Sequence, residues 1–110
     1  MRVAIIDLGT NSVRFDVYQI GQSLKMRRLH REKLMVRLGQ GVFVRGKLDP
    51  TAVRRTLEAF ESFQQTSKHL RVQKTIAFGT SALREATDNQ DLLQSIRDKT
   101  GIDIRVISCS

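Results

Sequence analysis

The sequence predicts an α/β fold with element order βββαβαβ and a mixed five-stranded sheet. Three observations carry this. A short β-branched run leads into a stretch of strict alternation, an amphipathic helix starts at Asp49-Pro50, and two later apolar runs bracket a second helical segment. With 110 residues, 40% hydrophobic and 27% charged, the chain makes one core-forming domain and is too short for two lobes with a cleft between them.

Arg2 to Asp7 is short, apolar and β-branched, the pattern of a strand covered on both faces. It ends at Leu8-Gly9-Thr10-Asn11-Ser12, a cluster of small turn-forming residues. Val13, Phe15 and Val17 then alternate with Arg14, Asp16 and Tyr18, so the first two strands form a hairpin. After the turn Gly21-Gln22-Ser23, Leu24 to about Leu38 supplies a third strand, with a break expected near Glu32. Asp49-Pro50 starts a helix, since Asp accepts from first-turn amides and Pro suits the first position. Val53, Leu57, Phe60 and Phe63 continue it to about Lys68.

Val72 to Phe78 is a fourth strand, running through Gly79-Thr80-Ser81 into the short helix Ala82 to Ala86. Asn89 is placed to cap a further helix carrying Leu92, Leu93 and Ile96, with Gly101 as its left-handed stop. Ile102 to Ile107 is the last strand. Alternating strands and helices imply parallel crossovers, and open α/β sheets bind ligands beyond the C-terminal strand ends. Asp7 and Thr80 both fall at that edge.

All of the net charge of +8 lies in residues 1–55, which hold 12 basic and 4 acidic side chains. Such a one-sided field favours an anionic partner. No apolar run reaches the roughly 18 residues of a membrane span and the N-terminus lacks a signal-like pattern, so the expected location is the cytoplasm, with no membrane partner. The single cysteine, Cys109, excludes an internal disulfide and a multi-cysteine metal site.

Two turns can carry chemistry. In Asp7-Leu8-Gly9-Thr10-Asn11-Ser12, a tight turn aims amides into one concavity, and the Thr10, Asn11 and Ser12 side chains add donors, which suits a phosphate. A carboxylate at that mouth, Asp7, repels phosphate unless a divalent cation or an attacking water lies between, which points to Mg²⁺. The same residues also close an ordinary hairpin turn. In Gly79-Thr80-Ser81-Ala82-Leu83-Arg84, a strand-to-helix turn with hydroxyls places Arg84 to fork onto phosphate oxygens, while the plain reading is an N-cap with Arg84 paired to Asp88.

A basic stretch, Lys25, Arg27, Arg28, Arg31, Lys33 and Arg37, can line the path of a long polyanion or simply keep an edge strand soluble. His30 within it is expected to be exposed and uninvolved. One Tyr and no Trp leave no platform for stacked bases, and no helix has a recognition pattern, so nucleic acid is disfavoured. A G-x-S-x-G elbow, a Walker loop and an H-E-x-x-H pair are all missing from the sequence.

Val3-Ala4-Ile5-Ile6-Asp7-Leu8-Gly9-Thr10-Asn11-Ser12-Val13-Arg14 resembles the phosphate-1 motif that opens the exopolyphosphatase and guanosine pentaphosphate phosphatase family, within the acetate kinase, sugar kinase, Hsp70 and actin superfamily. Val36-Arg37-Leu38-Gly39, Gly46-Lys47-Leu48, Thr80-Ser81-Ala82-Leu83-Arg84-Glu85-Ala86 with Asn89, and Thr100-Gly101-Ile102 running to Ile107-Ser108 are similar to later family landmarks in the same order. The resemblance implies a ribonuclease H-like, actin-like ATPase lobe. It also implies Mg²⁺-assisted hydrolysis of the terminal phosphate of polyphosphate or guanosine pentaphosphate. Asp7, Gly9, Thr10, Asn11 and Ser12 would belong to the phosphate loop, Asp7 would hold the metal or its water, and Arg84 would reach substrate phosphates; Thr80 and Ser81 are candidate phosphate contacts from the reading of their own turn.

The family pattern continues Ile-Ser-Gly into a segment whose Glu acts as general base. Here Ile107-Ser108 is followed by Cys109-Ser110, so residues 1–110 are expected to be one N-terminal lobe, cut before the second phosphate loop and partner lobe and feebly active alone. A non-catalytic module binding phosphate-rich polymers is the alternative, a kinase-like ATP site is a third reading, and a homodimer through exposed apolar surface is expected.

Overall fold

The computed structural model describes residues 1–23 and 25–107; the Leu24 start of the expected third strand and the Ser108, Cys109 and Ser110 readings lie outside them. Strands β1 (Arg2–Leu8), β2 (Ser12–Ile20) and β3 (Met26–Met35) form the meander, followed by α1 (Val42–Arg45), α2 (Pro50–His69), β4 (Lys74–Gly79), α3 (Ser81–Glu85), α4 (Asn89–Thr100) and β5 (Ile104–Val106). The sheet order is β3-β2-β1-β4-β5. β1 pairs antiparallel with β2 and parallel with β4, and β5 adds parallel to β4, so the sheet is mixed as the alternation requires.

Alternation decides which face is buried. Ala4, Ile6 and Leu8 of β1 and Val13, Phe15 and Val17 of β2 meet Ala59, Phe60 and Phe63 of α2 and Leu92 and Ile96 of α4 in one core. Phe15 stacks on Phe63 with centroids 4.6 Å apart, and Phe60 meets Phe63 edge-on at 5.8 Å. The helices pack on this face only. The expectation that β1 is covered on both faces is therefore corrected: Ile5 and Asp7 are half-buried on a face without a helix, where Ile76 of β4 is 44% exposed. The reason is topological, since both crossovers step the same way along the sheet and a right-handed crossover then puts both helices on one side.

On that open face Asp16 is only 6% exposed, and Arg31 closes over it, donating from Nε and from a terminal nitrogen to its two carboxylate oxygens at 3.0 and 3.1 Å. The Tyr18 hydroxyl donates to it at 3.3 Å. Burial pushes the Asp16 carboxyl up, but the Arg31 hydrogen bonds and charge, helped by Tyr18 and Arg14, outweigh it and hold the pKa below the ordinary Asp value.

Asp49 caps α2 as expected, accepting from the Thr51 and Ala52 amides at 3.1 and 3.2 Å, and Gly101 closes α4 at φ 73°. Other expectations change. β3 is unbroken at Glu32, and the irregularity instead lies between Val17 and Tyr18, where Leu29 is the extra residue opposite. His30 is not free in solvent: its ring lies 5.5 Å from Phe15, and its Nε2 is 3.1 Å from Glu32 Oε1. Asn89 does not cap α4, because its amide donates to the Leu83 carbonyl and so ties α4 back to α3. Asp88 does not pair with Arg84 but accepts the Leu48 amide at 3.1 Å. The unforeseen α1 is one turn of β-forming residues, held by left-handed glycines at both ends (Gly41, φ 86°; Gly46, φ 74°) and by burial of Val42.

Truncating the stacked pair tests the core: Phe63→Ala should cost about 3–5 kcal/mol in urea denaturation, a large share of a small domain's stability. The Asp16 pair gives a pH test. Because its folded pKa lies below the unfolded one, its stabilisation is complete at neutral pH, begins to fall near the unfolded Asp value of about 3.9 and is lost as pH falls through the lower folded value. Melting temperature should fall on acidification, and Asp16→Asn should flatten that fall while losing about 1 kcal/mol at pH 7, the half-exposed Arg31 being screened by water.

Candidate functional site

The parallel register of the two central strands fixes the site. Leu8 of β1 lies opposite Gly79 of β4, and the Thr80 amide donates to the Leu8 carbonyl at 3.2 Å. The turn Gly9-Thr10-Asn11 and the turn Thr80-Ser81 therefore leave the sheet side by side at its C-terminal edge, as the sequence predicted for Asp7 and Thr80.

The first turn is built for donation outward. The Gly9 amide bonds to the Ser12 carbonyl at 2.9 Å, closing the hairpin. The Asn11 carbonyl accepts from the Val36 and Arg37 amides at 3.1 and 2.8 Å, and the Thr10 carbonyl accepts from Gly39 at 2.8 Å. The amides of Thr10 and Asn11 have no acceptor among the described residues. Carbonyls turned inward onto residues 36–39 and amides left over at the rim are what an anion seat requires. Contact between the two segments is close: a Cβ on Gly39 would sit 2.5 Å from Thr10 Cγ2 and 3.2 Å from the Phe43 ring.

Thr10 and Asn11 line an open cavity of about 550 Å³ together with Met35, Arg37, Gly39 and Phe43, with Gln40 beside them. This strap of residues 36–40 is the part of the site that sequence reasoning did not assign to the turn. The signal was present as Val36-Arg37-Leu38-Gly39, but only the fold shows which loop it covers. Among the described residues no acidic side chain lines this cavity.

Asp7, one residue before the end of β1, is half-buried on the open sheet face, with Arg14 as its cross-strand neighbour in register. Among the described residues no group of three or more His, Cys, Asp or Glu side chains could enclose a metal ion. A single carboxylate in the strand that runs into a turn of hydroxyls and amides suits Mg²⁺, which keeps several waters and takes its remaining oxygens from phosphate; it does not suit an all-protein cage.

The second turn shares the rim but not the cavity. Thr80 precedes a helix of only five residues and makes no side-chain cap bond, so α3 offers no sustained helix-end field. Its close turn depends on Gly79, where a Cβ would meet Leu83 Cδ2 at 2.5 Å. Arg84 reaches toward β5, donating to the Ile107 carbonyl at 2.9 Å, with Ser81 Oγ and Glu85 Oε1 each 3.5 Å from its guanidinium. Of the predicted residues, Gly9, Thr10, Asn11, Ser12 and Asp7 cluster at one corner, and Thr80, Ser81 and Arg84 lie along the same edge toward β5.

The chain is similar to known proteins in both sequence and fold. The model of the Ppx/GppA phosphatase family matches residues 17–110. Exopolyphosphatase 2 of Mycobacterium tuberculosis is 33% identical over 103 residues, covering 91% of this chain and 32% of the relative. The chain thus spans about a third of the length of such curated relatives. Among solved structures, the Aquifex aeolicus member of the Ppx/GppA protein family superposes with a TM-score of 0.93 at 27% identity, covering 97% of this chain and 35% of that one. An exopolyphosphatase from Cytophaga hutchinsonii gives 0.93 at 32% identity, covering 97% and 34%. The fold is the ribonuclease H-like, actin-like ATPase type.

Gly39→Ala should wedge the strap off the turn. It should lower stability by about 1–3 kcal/mol and shift the amide resonances of Thr10, Asn11 and Phe43 in a ¹H–¹⁵N spectrum while leaving those of β5 in place.

Proposed function

Because the chain belongs to the Ppx/GppA phosphatase family, we propose that it is the N-terminal, phosphate-binding lobe of a phosphohydrolase that releases the terminal phosphate of inorganic polyphosphate or guanosine pentaphosphate. The observation that carries this reading is the Thr10-Asn11 turn, whose amides are left over at the sheet edge beside Asp7 in a chain matched by that family over residues 17–110. The exopolyphosphatase relatives support the substrate class.

In this reading the Thr10 and Asn11 amides, with the Thr10 and Ser12 hydroxyls, hold the terminal phosphate, and Gly9 lets the backbone turn close to it. Thr80 and Ser81 add hydroxyls from the neighbouring turn. Arg84 swings from the Ile107 carbonyl to a phosphate oxygen, exchanging a neutral acceptor for a charged one. Asp7 would hold Mg²⁺, and the ion when bound would neutralise phosphate charge and polarise the scissile bond. The Glu that the family resemblance assigns as general base is not among these 110 residues, and such a group contributes about 10²–10⁴-fold. Among the described residues no helix is long and apolar enough to cross a membrane, which is compatible with a cytoplasmic enzyme.

The test is phosphate release from long-chain polyphosphate with Mg²⁺, by this chain and by a version extended into the segment that follows Ser110. The extended protein should be at least 10²-fold faster, and Thr10→Ala or Arg84→Ala in it should remove most of that rate. An extended protein that binds polyphosphate without turnover would instead establish a non-catalytic polyanion-binding module.

A further inference from the structure

Arg37 combines three properties that no other arginine at the sheet edge shares. Its backbone is left-handed, at φ 53°, a conformation that glycine adopts freely and a long side chain does not. It lines the same cavity as Thr10 and Asn11. Its exposed side chain has no hydrogen-bond or ion-pair partner among the described residues, whereas Arg31, Arg45, Arg55 and Arg84 all have one.

The strain is imposed by contacts already made. The Val36 and Arg37 amides converge on one acceptor, the Asn11 carbonyl, and Gly39 anchors the next step on Thr10. From the other side Arg55 donates to the Val36 carbonyl at 3.0 Å and to Gln40 Oε1 at 3.3 Å, tying both ends of the strap to α2. The strap is fixed without a ligand, so the Arg37 backbone pays no ordering cost when an anion arrives. A residue kept at a costly φ, where glycine would serve the backbone better, points to its side chain as the reason.

We propose that Arg37 is a phosphate-binding residue, forking its guanidinium onto the phosphoryl group next to the one seated on the Thr10-Asn11 turn. A planar guanidinium suits two oxygens of one phosphoryl group, and a lining without carboxylates leaves its charge available. This rests on the reading of the 9–12 turn as a phosphate seat. It extends that reading by giving the site a preference for a chain of at least two linked phosphates over a single one, and it separates Arg37 from the cations of β3.

Calorimetric titration of the chain with tripolyphosphate and with orthophosphate, at low salt, tests it in wild type, Arg37→Gly, Arg37→Lys and Thr10→Ala. Arg37→Gly should melt at or above the wild-type temperature, weaken tripolyphosphate at least tenfold and leave orthophosphate within about twofold; Arg37→Lys, keeping charge without the fork, should fall between. If Arg37→Gly binds tripolyphosphate like wild type while Thr10→Ala does not, the Arg37 assignment is wrong and the turn remains the seat. Equal losses for both anions in Arg37→Gly reduce Arg37 to general charge and overturn the linked-phosphate preference. If wild type binds neither anion, the seat itself is wrong, and the role of Arg37 falls with it.

Discussion

The parallel pairing of β1 with β4 is the constraint on which the rest depends. It joins segments some seventy residues apart, with Leu8 opposite Gly79, and so decides that the turns following each strand leave the sheet together. Closing so long a loop is entropically costly. The cost is met by the core beneath, where Ala4, Ile6 and Leu8 share one apolar layer with Phe60 and Phe63 of the crossover helix. Packing chemistry and site chemistry thus use alternate residues of the same strand: Ile6 and Leu8 face the helices, and Asp7 between them faces away.

A second theme is how polar groups are divided between holding the fold and meeting a ligand. The carbonyls of Thr10 and Asn11 are consumed by the strap, while their amides have no acceptor among the described residues. Asp16 is consumed by Arg31 and Tyr18, which shields a carboxylate that would otherwise add negative charge to the open sheet face. Arg84 is engaged by the Ile107 carbonyl, a bond that the proposed phosphate contact would replace. In the proposed reading the first turn and strap are the preformed part of the anion seat, and the second turn completes it on binding.

The local signals in the sequence were physical and held where local physics dominates. The Asp49 cap, the Gly101 stop, the alternation of Val13, Phe15 and Val17, and the small-residue turn after Asp7 all depend on interactions within a few residues, so they could be read directly. Asn89 misled because its amide had a tertiary acceptor, the Leu83 carbonyl, in place of the cap it can also make. His30 misled because an edge strand of mostly charged residues still turns one side to the core, where Phe15 waits.

The sequence by itself determined the order of the five strands and of the helices after Asp49, the alternation of β2, the concentration of positive charge in the first half, and the family to which the chain belongs, because periodicity, capping and motif order are encoded over short spans. Tertiary structure alone decided that both helices share one face, that residues 36–40 strap the first turn, and that Arg37 is held left-handed beside it. Those outcomes come from hydrogen bonds and crossovers between distant segments, whose partners are chosen only when the sheet closes and the entropy of bringing them together has been met by the core.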